Sequence, residues 1–343
     1  QAGEDSRCVA RHALLRAGLP IETPGTVIQR NCGSGMGAII SAAHAITCGE
    51  GEVMIAGGVE SMTRAPFVVG KSEQAFSKQM TVFDSALGAR FPNPEIEKEF
   101  GDDTMPQTAD NVAADLGISR EEADTYAARS QALYEKARAD GFFAEEIHPI
   151  EVSQGRKKPA KVVDQDEHPR PSSDMAALSG LRSLFDGGVV TAGNASGVND
   201  GAAALIIGSE AAGQKYGVKP RAKILAGAIS GVAPRVMGLG PVEACKKALS
   251  RAGLTLDDMD VIEINEAFAS QVLGCAKQLG IAFDDPRLNP NGGAIAVGHP
   301  LGASGARLTL TALRQLERTG NRYALVSLCI GLGQGVAAVI ERV

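Results

Sequence analysis

The sequence has few of the features that mark nucleic-acid-binding or membrane proteins. Its 343 residues include no Trp, ten Phe and four Tyr, so few aromatic rings are available to stack on single-stranded bases. Basic residues number 34 against 40 acidic ones, and the formal net charge of -6 offers no broad positive surface to a phosphate backbone. No apolar run approaches the roughly 18 residues of a membrane-spanning helix. We therefore expect no nucleic-acid partner and no membrane insertion.

Cysteine is also sparse, and its spacing excludes a disulfide scaffold. The chain has six Cys, none with the paired spacing of a disulfide framework or a zinc site. Free thiols are typical of a reducing compartment, so we expect a cytoplasmic protein without a metal centre. Because the chain opens on Gln1 rather than Met, we expect that the sequence lacks its natural start.

What the sequence does contain is alternating helix and strand signals in an apolar, Gly-rich chain. Hydrophobic residues make up 44% of it and Gly occurs 41 times, which is enough for a sizeable core with many tight turns. Short apolar strands alternating with helices predict a layered α/β fold whose sheet is buried on both faces. The predicted strands are 27–29, 53–56, 202–207, 223–229, 261–264, 323–329 and 336–340. The predicted helices are 4–18, 33–49, 241–252, 266–279 and 304–318.

The chain also repeats itself. The stretch ALLRAGL at 13–19 matches ALSRAGL at 248–254, and GSG at 33–35 parallels ASG at 303–305. We interpret this as a duplicated α/β unit. The first copy begins inside its first helix, so at least one strand of the first half is predicted to be absent. The expected units are a first half at 1–63 with 191–218, an insertion at 64–190 and a second half at 219–343.

The insertion differs in composition from both halves. Its clearest helix signal is a capping box from Ser119 to Glu122, which predicts a helix to about Asp140. The dense basic run RKKPAK follows at 156–161. An insertion of this kind usually forms a lid or a ligand-binding excursion, whereas the basic run is equally explained as a solvated loop.

Four stretches, three of them Gly-rich, place a reactive side chain at the end of a strand or the start of a helix. They are NCGSG around Cys32, NEAF from Asn265, GHPLGASG around His299 and CIGLGQG from Cys329. Each alone is weak, because a lone Cys or His is more often structural. Together they lie at the sheet edges where open α/β folds place active sites. They predict a Cys nucleophile paired with a His, with the Cys32 thiolate favoured by a helix N-terminus.

These motifs, in this order, resemble the thiolase family along essentially the whole chain. Further stretches that carry the resemblance are GGVESM at 57–62, TADNVA at 108–113, TAGNASG at 191–197 and NGGA at 291–294. The sequence is most similar in appearance to β-ketoadipyl-CoA (3-oxoadipyl-CoA) thiolases, on GED at 3–5, RAPF at 64–67, RFPNP at 90–94 and DEHPR at 166–170.

The resemblance implies a fold and an activity. The fold is a thiolase-like duplicated α/β/α layered fold of two related halves with an inserted loop domain. The activity is reversible, CoA-dependent cleavage of a 3-oxoacyl-CoA to acetyl-CoA and a shortened acyl-CoA, or the reverse Claisen condensation. The expected substrate is 3-oxoadipyl-CoA or acetoacetyl-CoA.

The resemblance also implies roles for the four reactive residues. Cys32 would form the acyl-enzyme and His299 would accept its proton. Cys329 would move a proton at the α-carbon of acetyl-CoA. Asn265 would hold a water beside His299 in one oxyanion hole, and the N–H groups of Cys32 and Gly331 would form the other.

Binding residues and partners follow from the same resemblance. Ser196 is similar to the position that touches the pantetheine amide of coenzyme A, and Arg170 to an adenine-side contact. Coenzyme A and acyl-CoA would bind as substrates, with no covalently bound cofactor. A homo-oligomer, either a dimer or a tetramer, is expected.

Two other functions compete with this interpretation. A non-catalytic thiolase-like carrier of acyl-CoA or lipid could lose its reactive residues, but Cys32, His299 and Cys329 all stand in intact motifs. A decarboxylating ketosynthase would resemble a Cys-His-His or Cys-His-Asn set. The second Cys at 329 and the NEAF stretch favour reversible Claisen chemistry instead.

Overall fold

The structure is a computed structural model that describes residues 7–86, 88 and 90–343. Its strands are β1 (Val53–Ser61), β2 (Phe67–Val69), β3 (Val82–Asp84), β4 (Ile150–Val152), β5 (Lys161–Val163), β6 (Asp200–Gly208), β7 (Ala222–Gly231), β8 (Val261–Ile264), β9 (Tyr323–Ile330) and β10 (Gln334–Arg342). Its α-helices are α1 (Val9–Arg16), α2 (Ser34–Thr47), α3 (Pro94–Phe100), α4 (Met105–Leu116), α5 (Arg120–Ala139), α6 (Met175–Ser179), α7 (Glu210–Tyr216), α8 (Gly240–Ala252), α9 (Ala269–Leu279), α10 (Ala294–Val297) and α11 (Leu301–Thr319).

Two sheets carry the architecture. The larger has the order β7-β10-β9-β8, with β8 parallel to β9 and the other pairs antiparallel. The smaller pairs β1 with β6 antiparallel, with Val53 opposite Gly208 and Ser61 opposite Asp200. The pairs β2–β3 and β4–β5 form separate two-stranded hairpins in the insertion.

Helices α2 and α11 lie between the two sheets and pack against both. They approach each other at Gly305, where an added Cβ would lie 2.3 Å from the backbone nitrogen of Met36. On the far side of the larger sheet, α8 covers β7, β9 and β10. Because sheet and helices bury their apolar faces against one another, β9 is buried along nearly its whole length. This layering brings the N-terminal ends of α2 and α11 side by side.

Most predicted elements are confirmed, including β8 at its predicted bounds and α5 after its capping box at Ser119 and Glu122. The predicted strand at 27–29 is wrong, because the segment is not paired in either sheet and a strand needs a partner for its backbone groups. The strand predicted at 53–56 is longer than expected, since β1 continues to Ser61.

The first helix is shorter than predicted. It runs from Val9 to Arg16, and the chain reverses at Gly18, whose φ of 78° is left-handed. Residues 4–6 of that prediction, and the GED stretch at 3–5, lie outside the described residues. The basic run at 156–161 forms the exposed tip of the β4–β5 hairpin.

Candidate active site

Cys32 lies in a 3-10 turn, Asn31–Gly33, immediately before α2. Asn31 has a φ of 44°, so the chain turns sharply as it enters the helix. Gly33 fits directly against Ile330 of β9, where an added Cβ would lie 2.5 Å from Cδ1 of that side chain. The turn therefore seats the partly exposed Cys32 beside the end of β9.

Two backbone groups act on the sulfur of Cys32. The N–H groups of Gly331 and of Cys32 itself both lower the pKa of the thiol. Burial nevertheless outweighs them and raises the pKa of the thiol to about 11. The backbone dipoles at the start of the helix thus favour the thiolate as expected, and desolvation of the anion opposes them and is the larger effect.

His299 is buried, and its contacts allow a tautomer to be assigned. Its Nδ1 lies 2.6 Å from Oγ of Ser304, and the Ser304 hydroxyl is placed to donate to the carbonyl of Pro300 over 3.0 Å. With that hydroxyl proton on the Pro300 carbonyl, we assign Nδ1 as the donor to Ser304 and the lone pair to Nε2. Burial and the positive charge of Arg307 lower the pKa of the imidazole to about 3, so the ring is neutral at physiological pH.

Asn265 follows β8 directly and its amide contacts the His299 ring. Nδ2 lies 3.3 Å from Nε2 and 3.5 Å from Nδ1, so the amide sits against the Cε1 side of the imidazole. Within the described residues, the buried Oδ1 of Asn265 has no hydrogen-bond partner. A buried amide oxygen in this state is a place where an ordered water or a substrate group can bind.

Two residues that the sequence analysis did not assign hold the His299 turn. Asn199 accepts the His299 backbone N–H through Oδ1 over 3.0 Å and packs on Gly298, whose φ is 94°. Glu60 on β1 accepts the backbone N–H of Gly302 at the start of α11 over 3.0 Å. A carboxylate at a helix N-terminus is a favourable cap. Both contacts cross between remote segments, and no local pattern predicts them.

Cys329 lies near the end of β9, opposite Gly335 of β10, and is 1% exposed. Burial raises its pKa well above the ordinary value, and the nearby sulfurs of Cys32 and Cys275 raise it further. The second thiol is therefore neutral and lies within electrostatic range of the first.

The structure thus brings the remote residues together. Cys32 meets Gly331 and Cys329 at the end of β9, and the backbone N–H of Asn265 donates to Ser327 of the same strand. The turn that carries Cys32 packs against α11, which begins two residues after His299. Two neutral thiols, a neutral imidazole and backbone donors at one sulfur can support nucleophilic acyl transfer.

Met105, at the start of α4, covers one side of this site. Its Sδ would lie 3.6 Å from a Cβ built on Gly331. The first residue of an insertion helix therefore contributes to the wall beside the Gly331 donor, which the sequence analysis did not foresee.

The two residues predicted to bind coenzyme A lie in different segments. The Ser196 hydroxyl donates to the carbonyl of Ala267 over 3.1 Å, two residues from Asn265. Arg170 in the insertion is exposed, and its Nη1 donates to carbonyls of its own loop at Glu167 and Pro169.

Two structural features, a metal-type cluster and a membrane-spanning helix, are absent from the described residues. Residues 7–86, 88 and 90–343 contain no group of three His, Cys, Asp or Glu side chains arranged to hold a metal ion. In the same part of the chain, no helix is long and apolar enough to cross a membrane.

Two family models match this chain. Residues 1–211 match the family model of the thiolase N-terminal domain, and residues 218–342 match that of the thiolase C-terminal domain. A β-ketoadipyl-CoA thiolase of Acinetobacter baylyi is 56% identical over 344 residues, which cover 100% of this chain and 86% of the relative. A 3-oxoadipyl-CoA/3-oxo-5,6-dehydrosuberyl-CoA thiolase of Escherichia coli K12 is 56% identical with the same coverage.

A solved structure agrees with the sequence comparison. The crystal structure of human mitochondrial 3-ketoacyl-CoA thiolase in complex with CoA superposes with a TM-score of 0.89 at 42% sequence identity. The match covers 97% of this chain and 82% of the human chain. It confirms the predicted thiolase-like α/β fold.

Proposed function

The chain belongs to the thiolase family, and from that premise we propose that it cleaves 3-oxoadipyl-CoA with coenzyme A. The products are acetyl-CoA and the CoA ester of a dicarboxylic acid shortened by two carbons. The observation that carries this substrate is the identity of 56% to two relatives named for 3-oxoadipyl-CoA or β-ketoadipyl-CoA, over the whole of this chain. Thiolases are acyltransferases that use CoA esters as substrates, so no prosthetic group enters the mechanism.

The first step is attack of the Cys32 sulfur on the 3-oxo carbon, with transfer of its proton to Nε2 of His299. Burial raises the pKa of the thiol to about 11 and lowers that of the imidazole to about 3, which disfavours a separated ion pair before substrate reacts. Both shifts favour proton transfer together with attack. The Nδ1–H bond to Ser304 leaves Nε2 as the basic nitrogen, which supports His299 as the general base.

The oxygen of the attacked carbonyl becomes negative and needs fixed donors. The N–H groups of Gly331 and Cys32 both lower the pKa of the Cys32 thiol, which supports them as donors to an acyl oxygen on that sulfur. Such preorganised donors are worth more in a site that excludes water. This supports the second oxyanion hole at Cys32 and Gly331.

Cleavage of the bond between carbons 2 and 3 leaves the acyl group on Cys32 and sends the electron pair into an enolate of acetyl-CoA. The protonated His299 and a water on Oδ1 of Asn265 would stabilise its oxygen, and the unpartnered Oδ1 supports that water site. Cys329 then gives its proton to carbon 2 and becomes a thiolate.

Coenzyme A completes the cycle. The Cys329 thiolate removes the proton of the incoming CoA thiol, which attacks the acyl-enzyme. Cys32 leaves and recovers its proton from His299. No proton is gained or lost overall, and each group returns to the neutral state that its burial favours.

We also propose that CoA lies across the insertion. Ser196, next to the NEAF segment, is placed for the pantetheine arm. The exposed basic tip at 156–161, together with Arg170, offers positive charge to the phosphorylated nucleotide in a chain of net charge -6. A locally basic loop is what an otherwise acidic protein needs to hold a polyanion.

A homo-oligomer in the cytoplasm completes the proposal. The outer face of the β1–β6 sheet exposes Val53, Ile55, Val59 and Ile206, with Ile206 76% exposed. An apolar sheet face of this kind suits packing against a second copy, and two-fold dimers are the commonest assembly. All six Cys lie in the described residues as free thiols, which is consistent with a reducing compartment.

The test of the substrate is the ratio of kcat/KM for CoA-dependent cleavage of 3-oxoadipyl-CoA and of acetoacetyl-CoA. We expect the dicarboxylic substrate to be preferred and Cys32→Ala to abolish cleavage of both. A preference for acetoacetyl-CoA would contradict the substrate. Tight acyl-CoA binding with no turnover of either ester would favour the non-catalytic carrier.

A further inference from the structure

Glu266 is fully buried next to Asn265, and four hydrogen-bond donors surround its carboxylate. Oε1 accepts from the hydroxyl of Tyr126 over 3.0 Å and from Nδ2 of Asn289 over 3.0 Å. Oε2 accepts from the hydroxyl of Ser130 over 2.7 Å and from the backbone N–H of Ile295 over 3.1 Å. Four donors and no acceptor are the pattern of an ionised carboxylate.

These four donors come from two separate parts of the chain. Tyr126 and Ser130 lie one turn apart on α5, in the insertion. Asn289 and Ile295 belong to the segment that leads through α10 to His299. Glu266 therefore ties the insertion and the His299 segment to the end of β8, where Asn265 begins.

The bonds of the neighbouring groups extend the same link. Asn289 exchanges two hydrogen bonds of 2.9 Å with the backbone of Ile264, the residue before Asn265. Ser130 also accepts the backbone N–H of Gly293, and the buried Gln131 donates to the carbonyl of Ile295. The approach to His299 is thus held by α5 at Gly293 and Ile295, two residues apart.

Gln131 also reaches the predicted coenzyme A loop, because its Oε1 accepts the backbone N–H of Arg170 over 3.0 Å. One face of α5 therefore contacts three segments, which carry Asn265, His299 and Arg170.

We propose that Glu266 is a positioning residue, which sets the distance between Asn265 and His299 by anchoring both to α5. The inference rests on the proposed roles of Asn265 and His299 in one oxyanion hole. A hole works only while its donors are held at the place where charge develops, and a misplacement of about 1 Å can cost roughly a hundredfold in rate. Glu266 does not touch the reacting atoms and acts through its neighbours.

The test substitution is Glu266→Gln, which preserves size but turns one acceptor into a donor. In either orientation of the new amide, its NH2 group faces two of the groups that donate to the Glu266 carboxylate in the wild type. At least one buried donor loses its acceptor, which loosens α5 from one of the two segments. Ser130→Ala is the second variant, because it removes a single hydroxyl that serves both Glu266 and Gly293.

Each variant is compared with Tyr134→Phe, which removes a hydroxyl from the same helix outside this set of bonds. We measure thiolysis of acetoacetyl-CoA and express kcat per Cys32 site that forms an acyl-enzyme, so that unfolded protein does not count. For Glu266→Gln we expect kcat to fall roughly tenfold to a hundredfold with the KM for CoA unchanged. Ser130→Ala should show a smaller loss of the same kind, and Tyr134→Phe should match the wild type.

A double-mutant cycle with Asn265→Ala separates positioning from general weakening. If Glu266 acts through Asn265, the double variant is less impaired than the product of the two single losses. Full additivity, or wild-type kcat in both Glu266→Gln and Ser130→Ala, would overturn the positioning role. If Asn265→Ala and His299→Ala themselves retain wild-type kcat, the proposed function fails instead, and the two failures are distinguishable.

Discussion

The Nδ1 atom of His299 lies 2.6 Å from Oγ of Ser304, and the direction of this hydrogen bond decides which ring nitrogen is basic. We assign Nδ1 as the donor, because the Ser304 hydroxyl is placed to donate to the carbonyl of Pro300, one residue after His299. Both residues belong to the GHPLGASG stretch, so the turn carries the base and the group that orients it. A neutral imidazole with a fixed tautomer is what removal of a thiol proton requires.

We predict that Ser304→Ala slows thiolysis while the protein remains folded. Without the acceptor, the ring can adopt the other tautomer, in which Nε2 holds a proton and cannot take one from Cys32. The general-base contribution is about 10²–10⁴-fold, and we expect a loss towards the lower end because some of the correct tautomer remains. Steady-state kinetics of acetoacetyl-CoA cleavage measure the effect.

Thr309→Val is the matched control for this variant. Thr309 lies on the same helix, and its hydroxyl donates to the carbonyl of Gly305 over 2.8 Å. Removing that hydroxyl should leave kcat unchanged. Equal losses in the Ser304 and Thr309 variants would show that α11 is merely disturbed and that the tautomer argument is wrong.

Glu263 supplies a prediction about pH and stability. It is fully buried on β8, and neither carboxyl oxygen has a hydrogen-bond partner within the described residues. Burial raises its pKa from 4.5 to about 8, with Arg307 opposing the shift and the Glu266 and Glu146 charges adding to it. Folded protein therefore keeps a proton between pH 4.5 and 8 that unfolded protein releases.

The stability contributed by this group must fall as pH rises through that window, by up to about 1.4 kcal/mol per pH unit. Glu263→Gln removes the ionisation and should flatten the slope, so the variant gains stability over the wild type as pH rises from 5.5 to 7.5. Urea unfolding at several pH values gives the free energies. Parallel curves for the two proteins would contradict the buried protonated state.

Replacing each of the two active-site thiols should impair a different step of the reaction. Cys329→Ala removes the proposed acid at carbon but leaves Cys32, His299 and the Gly331 donor in place. We expect turnover to fall by about 10²–10⁴-fold while acyl transfer to Cys32 from acetyl-CoA survives. Rapid-quench measurement of labelled acyl-enzyme separates the steps, and loss of acylation equal to that in Cys32→Ala would rule out separate roles.

The proposed coenzyme A site predicts a dependence on salt. Exposed basic groups attract the phosphates over a screening length of about 8–10 Å, so the KM for CoA should rise as salt is added. Replacing Arg170 or the pair Lys157 and Lys158 by Ala should raise KM and weaken that dependence. Lys246→Ala, which changes an exposed Lys paired with Glu243 on α8, serves as the control. A salt-independent KM would place the nucleotide elsewhere.

Local sequence signals predicted most of the helices and strands. Features that depend on contacts between remote segments were not predictable in the same way. The capping box at Ser119 placed α5 correctly, because a helix start is encoded within four residues. The segment 27–29 has strand-like residues, but a strand also depends on a partner that is remote in sequence. The boundaries proposed for the two halves and the insertion stay a prediction.

The candidate site shows the same difference between local signals and long-range contacts. The reactive residues could be found from their Gly-rich turns, whereas Asn199 and Glu60 could not, since each meets the His299 turn from a distant strand or loop. The rise in the pKa of the Cys32 thiol could not be predicted from the sequence either. A sequence shows that a helix follows the sulfur, but it does not show how much water the folded protein excludes.

The most direct test of the account is to find where the acyl group is attached. Protein mixed with acetoacetyl-CoA without free CoA, quenched in acid and digested, should carry one acetyl group on the peptide that contains Cys32. The label should disappear when CoA is added and should be absent in Cys32→Ala. An acetyl group on Cys329, or no covalent label under conditions in which thiolysis proceeds, would contradict Cys32 as the nucleophile.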